Sequence, residues 1–285
     1  MELFKGVATA LITPFRDGKI DADALDLLLD RQAAAGIPAV VMAGTTGESP
    51  ALTYGEFDEL LRRVRARWQG TLIAGCGANC TDRAAELAKI ARDAGADALL
   101  AVTPYYNKAS RAGLTAHYRA VCAAGLPTVV YHVPSRTGQR LSIGDFGALA
   151  GVDGICGVKE CSGDLAFLRE LVLTFGDRWT VWTGNDDQIP AALRLGAKGV
   201  VSVISNLLPR ETATWAAACL NGEEADERKW SADLLPKVRA LGREVNPIPV
   251  KYAAARMGLC RLEYRLPMTP PEPETAALLD RVFEF

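Results

Sequence analysis

A lysine ends a short apolar run near the middle of the chain, where residues 154–158 read GICGV and Lys159 follows. Burial of an ammonium group without a partner disfavours its charged form. A neutral amine can attack a ketone and form a Schiff base, which activates a carbonyl substrate. Alternatively, the side chain of Lys159 extends along the surface and keeps its charge in water. Lys159 alone does not decide between a nucleophile and a surface charge.

Other polar segments also follow apolar runs. Residues 44–49 (GTTGES) offer two hydroxyls, of Thr45 and Thr46, and free backbone amides in a turn that suits a carboxylate group. Tyr131 supplies a phenol for proton transfer, and Arg136 supplies a guanidinium for a second carboxylate. Taken singly, such residues also serve as turn formers, packing aromatics or solvated charges. The further segments of this kind are 103–107, 131–138 and 183–187.

Strand alternation gives a geometric expectation for these groups. Side chains two residues apart in a strand share a face, so Gly157 lies on the same face as Lys159. We expect Gly157 to leave room for the lysine and Tyr131 of a neighbouring strand to lie beside it. A phenol next to an imine can carry protons if a hydroxyl such as that of Thr45 relays them.

The elements that position these residues repeat along the chain. An alanine-rich helical pattern ends in Gly and an apolar run follows, which is typical of helix, left-handed cap and buried parallel strand. The four clearest copies are 35–41, 94–100, 124–130 and 195–201. The predicted strands are 6–12, 38–43, 71–75, 97–102, 127–132, 154–159, 179–183 and 198–203. Eight strands alternating with helices predict a (β/α)8 TIM barrel, an α/β fold.

The predicted barrel fixes where the chemistry lies and how the chain divides. Active sites of such barrels lie at the carboxyl ends of the strands, where the polar segments fall. No GxGxxG follows the first strand, so a dinucleotide site is not indicated. After the eighth strand the pattern is helical only. We expect a catalytic barrel over residues 1–222 and a C-terminal helical extension over 223–285 that serves packing or assembly.

The totals exclude several classes of protein. A net charge of −2 over 285 residues and a pI near 5.8 give no excess of positive charge of the kind that binds nucleic acid or an anionic membrane. No apolar run reaches the ~18 residues of a membrane span, and the amino terminus lacks a signal-peptide pattern. We therefore expect a cytoplasmic protein. The seven cysteines lack paired spacing, so we expect free thiols and no metal.

The chain resembles the dihydrodipicolinate synthase / N-acetylneuraminate lyase family of Schiff-base-forming class I aldolases. The shared motifs are 44–48 (GTTGE), 103–107 (TPYYN) and 158–160 (VKE). Three further stretches point to the synthase branch of the family rather than to the sugar-acid lyases: 133–138 (VPSRTG), 246–251 (NPIPVK) and 266–270 (LPMTP). The resemblance covers essentially the whole chain.

The resemblance implies roles for individual residues. Lys159 matches the lysine that condenses with pyruvate, and Tyr131 and Thr45 match the phenol and hydroxyl of a proton relay. Tyr106 matches a tyrosine that reaches into the site of a neighbouring subunit. The resemblance therefore also implies a homotetramer, built as a dimer of dimers.

The substrate contacts follow from the same resemblance. Thr45 and Thr46 match the residues that hold the pyruvate carboxylate, and Arg136 matches the arginine that receives the carboxylate of aspartate semialdehyde. Gly184 and Val201 match positions that line the pocket. No metal or organic cofactor is implied.

Two departures from the family pattern stand out. His132 replaces the usual Asn after the relay tyrosine; strand parity predicts that it faces the helices and changes packing rather than adding a base. At the family's regulatory site for lysine, Asn79 and Tyr105 are retained, but Arg83 replaces a glutamate. A guanidinium repels a cationic ligand. We therefore predict weak or absent inhibition by lysine.

The resemblance implies a lyase that condenses pyruvate with aspartate semialdehyde to give 4-hydroxy-tetrahydrodipicolinate, a step of lysine and diaminopimelate biosynthesis. An aldolase of the same family that acts on a sugar acid or another aldehyde is the nearest alternative, and Arg136 argues against it. A non-catalytic barrel would be expected to lack the lysine or its relay groups. Lys159, Tyr131, Thr45 and Tyr106 are all present.

Overall fold

The computed structural model describes residues 2–285, within which eight parallel strands form a closed barrel. Each strand pairs with its neighbours in chain order, and the first pairs with both the second and the last. The strands are β1 Gly6–Ala10, β2 Ala39–Met42, β3 Thr71–Gly75, β4 Ala98–Val102, β5 Thr128–His132, β6 Ile155–Glu160, β7 Thr180–Thr183 and β8 Gly199–Ser202. The predicted barrel and its eight strands are confirmed.

Helices connect and surround the strands. They are α1 Ala22–Ala34, α2 Tyr54–Arg67, α3 Thr81–Asp93, α4 Arg111–Cys122, α5 Pro134–Thr137, α6 Ile143–Leu149, α7 Leu165–Phe175, α8 Ile189–Arg194, α9 Pro209–Asn221, α10 Glu224–Leu241, α11 Ile248–Arg256 and α12 Pro273–Phe283. Short 3-10 turns span Ser49–Ala51, Asp186–Gln188 and Ile204–Asn206, and a small hairpin pairs Phe15–Arg16 with Lys19–Ile20. None of the helices in residues 2–285 combines the length and hydropathy that a membrane span requires.

The repeated glycine between helix and strand has a backbone reason. Gly36, Gly95, Gly125 and Gly196 all adopt positive φ, between 71° and 102°. This left-handed conformation is open to glycine at little cost, and it turns the chain from the end of a helix into the next strand. The helix-glycine-strand unit predicted from the sequence is therefore confirmed at each of its four clearest copies.

The core has two layers, one inside the barrel and one between the barrel and the helices. Small residues such as Ala8, Ala39 and Ala98 line the interior, where the indole of Trp182 stacks on Phe4 with ring centroids 4.9 Å apart. The outer layer contains most of the aliphatic side chains and packs the helices onto the strands. A filled interior leaves the strand ends as the place for a site.

The C-terminal helices pack on one another and on the barrel wall. The Trp215 indole of α9 donates to Ser231 Oγ of α10 at 3.0 Å, and Glu227 of α10 pairs with Arg194 of α8. Tyr252 of α11 donates to Asp280 of α12 at 2.9 Å. These contacts join α10–α12 to the helices of the barrel.

Candidate active site

Lys159 lies at the carboxyl end of β6 and is buried, with 7% of its surface exposed. Its register partner on β5 is Tyr131 and its partner on β7 is Trp182. The ammonium nitrogen lies over the Tyr131 ring, 4.3 Å from the ring centroid. Barrel register therefore brings the amine and the phenol together, and the surface-charge alternative for Lys159 is wrong.

The Tyr131 phenol connects the lysine to the turn after β2. Burial raises the pKa of Tyr131 above its ordinary value of 10.0, while the charge of Lys159 and a hydrogen bond with Thr45 oppose the rise. The phenol is therefore protonated at neutral pH and can donate a proton. Thr45 and Tyr131 both line a small cavity of about 30 Å³. The expected grouping of amine, phenol and hydroxyl is present.

Space for the Lys159 side chain comes from Gly184, not from Gly157. A Cβ at Gly184 would overlap Lys159 Cε and Cys161 Sγ, so any larger residue would force these two side chains to move. A Cβ at Gly157 would instead overlap the Trp182 ring and a strand carbonyl. The expected role of Gly157 is thus corrected: Gly157 makes room for the tryptophan that fills the barrel.

Cys161 is a second candidate nucleophile at this end of the barrel, and sequence reasoning gave it no role. Its side chain packs beside Gly184 and hydrogen-bonds with Tyr131. Burial raises the pKa of the Cys161 thiol to about 11. A thiol is nucleophilic as its thiolate, so Cys161 does not compete with Lys159 at neutral pH.

The turn after β2 is held from the C-terminal extension. Thr46 is buried, and its Oγ1 accepts a hydrogen bond from Asn246 Nδ2 at 2.9 Å. Glu48, two residues on, accepts from Lys251 Nζ at 2.5 Å, and both side chains are buried. Burial lowers the pKa of Lys251, and the carboxylate of Glu48 opposes that shift. The extension thus provides more than the predicted packing or assembly surface.

A larger cavity of about 360 Å³ lies next to this turn. Its lining includes Thr45, Val133, Arg136 and Asn246. Arg136 is exposed, and its Nη2 donates to the main-chain oxygen of Asn246 at 2.9 Å. The remaining N–H groups of the guanidinium are available to a carboxylate in the cavity.

The other predicted substrate-binding position, Val201, lies in β8 and is buried in the cluster inside the barrel together with Tyr131.

Tyr106 lies apart from the residues around Lys159. It is 91% exposed and adopts a left-handed backbone with φ of 70°, which projects its side chain from the surface. The structure does not bring Tyr106 to the Lys159 site of its own chain.

Two of the three predicted regulatory residues are at the larger cavity. Arg83 and Tyr105 line it, and the Arg83 guanidinium lies 5.8 Å from the ring centroid of Tyr54. The main-chain oxygen of Asn79 accepts from Asn107 Nδ2 at 2.7 Å. The positive charge at position 83 therefore faces the space into which a ligand of this region would bind.

His132 faces the helices, as strand parity predicted, and contacts the rings of Phe146 and Phe167. Its Nε2 accepts from the Leu141 N–H at 3.1 Å, so Nδ1 carries the ring hydrogen and donates to Glu160 Oε2 at 2.6 Å. Both His132 and Glu160 are buried. The packing role is confirmed, and the carboxylate partner was not predicted.

Sequence reasoning gave no role to Asn246 or to the Glu48–Lys251 pair. All three residues stand inside motifs that carry the family resemblance, which is the signal that could have found them. Their pairing could not be read because Glu48 and Lys251 are 203 residues apart. Across residues 2–285, no three His, Cys, Asp or Glu side chains form a metal-ligating group.

Comparison with known proteins agrees with this arrangement. The model of the dihydrodipicolinate synthetase family matches residues 3–284. A 4-hydroxy-tetrahydrodipicolinate synthase of Exiguobacterium sibiricum is 44% identical over 270 residues, which cover 93% of this chain and 92% of that protein. Two solved structures are similar over nearly the whole chain. Dihydrodipicolinate synthase from Thermotoga maritima has a TM-score of 0.95 at 36% identity, covering 99% of this chain and 98% of that one.

The second solved structure is DHDPS from Cyanidioschyzon merolae with lysine bound. It has a TM-score of 0.93 at 32% identity, and the match covers 100% of this chain and 98% of that one. A family match over residues 3–284 and relatives at this level of identity agree with the site geometry. The chain belongs to the dihydrodipicolinate synthetase family.

Proposed function

We propose that this chain is a lyase that condenses pyruvate with aspartate semialdehyde to give 4-hydroxy-tetrahydrodipicolinate, in lysine and diaminopimelate biosynthesis. The proposal rests on the buried Lys159 amine, which lies 4.3 Å from the ring centroid of Tyr131. Thr45 is hydrogen-bonded to the same tyrosine. Imine formation uses a nucleophilic amine and a proton donor, and Lys159 and Tyr131 offer these two groups side by side. Relatives that match over nearly the full chain carry the name of this activity.

The proposed reaction begins at the lysine. The Lys159 amine adds to the keto carbon of pyruvate, and water leaves as the imine forms, with proton transfer through Tyr131 and Thr45. A methyl proton of the imine then passes to the relay of Tyr131 and Thr45, which leaves an enamine. Thr45 and Thr46 hold the pyruvate carboxylate through these steps.

Carbon–carbon bond formation follows. The enamine carbon adds to the aldehyde of the second substrate, and the aldehyde oxygen takes a proton from the same relay to become a hydroxyl. The carboxylate of that substrate binds Arg136 at the rim of the cavity. The amine of that substrate then attacks the imine carbon, the ring closes, and the Lys159 amine is released. Side chains of this chain perform all of these steps, and the proposed reaction uses no metal or cofactor.

The test of the reaction is turnover with different aldehydes. With pyruvate present, consumption of aspartate semialdehyde is compared with that of sugar-derived aldehydes such as N-acetylmannosamine. We expect turnover with aspartate semialdehyde and little with the sugar aldehydes, because Arg136 presents a guanidinium to a carboxylate. The reverse preference would favour a sugar-acid aldolase of the same family.

For the assembly we propose a homotetramer in which Tyr106 completes the relay of a neighbouring subunit. Its 91% exposure and positive φ of 70° support a side chain presented to a partner. Tyr106→Phe should lower turnover while the mass in sedimentation experiments stays that of the assembled protein. Unchanged turnover would remove Tyr106 from the relay.

For the organisation of the chain we propose a catalytic barrel over residues 1–222 and a helical extension over 223–285. The division falls between α9 and α10. Contacts of Asn246 and Lys251 with the turn after β2 support a role of the extension in holding the site. A cytoplasmic location stays a prediction from the sequence.

For regulation we propose that lysine inhibits weakly or not at all. Arg83 presents a positive charge to the cavity that Tyr105 also lines, and a cationic ligand is repelled there. The measurement is turnover against lysine concentration. Half-inhibition at micromolar lysine would contradict the proposal.

A further inference from the structure

Asn246 contacts two of the three residues proposed to hold substrate carboxylates, Thr46 and Arg136. Its side-chain Nδ2 donates to Thr46 Oγ1 at 2.9 Å, and its main-chain oxygen accepts from Arg136 Nη2 at 2.9 Å. Thr46 and Arg136 are separated from Asn246 by 200 and 110 positions, so only the fold brings the three together. Asn246 and Arg136 line the larger cavity, and so does Thr45, the residue before Thr46.

The first contact sets the direction of a hydroxyl hydrogen. A threonine hydroxyl has one hydrogen to donate and accepts through its oxygen. Because Asn246 donates to Thr46 Oγ1, that oxygen acts as acceptor toward the asparagine. The hydroxyl hydrogen of Thr46 is left to donate to a carboxylate, which has acceptor oxygens only.

The segment that carries Asn246 is fixed to the same turn at a second point. Lys251 donates to Glu48 Oε1 at 2.5 Å, and Glu48 Oε2 accepts from the backbone N–H of Arg265 at 3.2 Å. The Lys251 ammonium also lies 4.4 Å from the ring centroid of Phe15. These buried contacts hold α11 and the turn after β2 as one unit, so the position of Asn246 relative to Thr46 is set independently of its own side chain.

We propose that Asn246 is a positioning residue that orients the Thr46 hydroxyl toward the pyruvate carboxylate and holds the Arg136 guanidinium at the site of the second carboxylate. Asn246 thereby couples the two carboxylate sites, although it takes no part in the proton relay. The inference rests on the proposed function for the identity of the two substrates. Its central contact, with Thr46, concerns pyruvate alone.

The experiment compares Asn246→Ala and Asn246→Asp with wild type. The Asp variant keeps the shape of the side chain but replaces the donor with a carboxylate, which takes the Thr46 hydrogen for itself. We expect the KM for pyruvate to rise about tenfold in the Ala variant, the scale of one lost hydrogen bond, and further in the Asp variant. The KM for the aldehyde should stay near that of wild type, because both variants keep the main-chain oxygen that accepts from Arg136, and kcat should change less than the pyruvate KM.

A double-mutant cycle with Thr46→Val separates positioning from a general structural role. If Asn246 acts through Thr46, Asn246→Ala should raise the pyruvate KM little further in the Thr46→Val background. Fully additive effects would overturn the inference, as would pyruvate KM values within twofold of wild type in both Asn246 variants. Asn221→Ala is the matched control, because this exposed asparagine bonds only to Glu223 among the residues described and should leave both KM values unchanged.

Pyruvate affinity can also be measured without an aldehyde, from the pyruvate concentration that half-saturates borohydride trapping on the full-length variants. This measurement distinguishes the two proposals. If wild type traps pyruvate but does not turn over aspartate semialdehyde, the proposed reaction fails while the effect of Asn246 on pyruvate remains testable. If the Ala variant does not fold, the nearly isosteric Asp variant supplies the same comparison.

Discussion

Two regions of the site are built in different ways. The covalent centre is built by strand register, because Tyr131 and Lys159 are direct partners on β5 and β6. The carboxylate region is built by long-range contacts, since Asn246 reaches Thr46 across 200 positions and Arg136 across 110. The same barrel mouth thus contains one group that the sheet places and another that the C-terminal extension places.

The difference predicts how each region responds to change. Strand register is supported by the whole sheet, so a substitution in the covalent centre should lower catalytic activity while leaving the fold intact. The carboxylate region depends on single contacts with the extension, so a substitution there should weaken binding or stability. We therefore expect decreases in kcat from the first region, and increases in KM or decreases in the free energy of unfolding from the second.

Tyr131→Phe should give the largest effect on activity. Removal of a positioned acid or base typically costs about 10²–10⁴-fold in rate, and we expect kcat to fall by that much with a small change in the pyruvate KM. Tyr118→Phe is the matched control, because its buried hydroxyl donates to the Ala101 carbonyl away from the site. Steady-state kinetics of both variants check this prediction. A kcat for Tyr131→Phe near that of wild type would contradict a role of Tyr131 in proton transfer.

Lys251→Met should give the largest effect on stability. The substitution leaves the Glu48 carboxylate buried at 4% exposure without its partner, and such a loss costs about 3–5 kcal/mol. Denaturant unfolding measures the change in the free energy of unfolding. Lys237→Met removes a lysine paired with Asp233 on the helix surface and should cost less than about 1 kcal/mol. Equal costs for the two lysines would show that the buried pair does not hold the turn.

Glu56→Gln should give a smaller, pH-dependent effect. The hydrogen bond from Arg265 lowers the pKa of Glu56 from 4.5 to about 2. A carboxylate with a depressed pKa in the folded state stabilises above its unfolded pKa and loses that contribution as pH falls. With both side chains partly exposed, we expect a cost of about 1 kcal/mol at neutral pH.

The pH series makes that prediction specific. The difference between wild type and Glu56→Gln in the free energy of unfolding should shrink as pH falls from 4.5 towards 2. Glu86→Gln, at an exposed carboxylate 3.7 Å from Lys89, should show little difference at any pH. A Glu56→Gln difference that grows on acidification would contradict the assignment.

The fold could be predicted largely from the sequence because its signals are local. In the four clearest repeats, the glycine after the helix and the apolar run that follows occur within seven residues, and the eight observed strands end within two residues of those expected. The Lys159–Tyr131 neighbourhood follows from strand order and parity. The capping box of Thr53 and Glu56 at the start of α2 is a local signal of the same kind, because it is defined by a three-residue spacing.

The parts that could not be predicted depend on contacts between distant positions. No pattern near Glu48 indicates Lys251, and no pattern near Thr46 indicates Asn246. The role of Gly157 was misread for the same reason, since parity shows which face it shares with Lys159 but not that Trp182 fills the space. Strand parity identified where His132 points, but not that Glu160 would accept its ring hydrogen.

The most direct test of Lys159 as the Schiff-base nucleophile is borohydride reduction in the presence of pyruvate, followed by peptide mass mapping. Lys159 and Lys251 are the two buried lysines among the described residues, but only Lys159 lies beside Tyr131. A reduced pyruvate adduct should appear on the peptide that contains Lys159, and no adduct should form in Lys159→Arg. Absence of an adduct on Lys159, or its appearance on Lys251 instead, would contradict that role of Lys159.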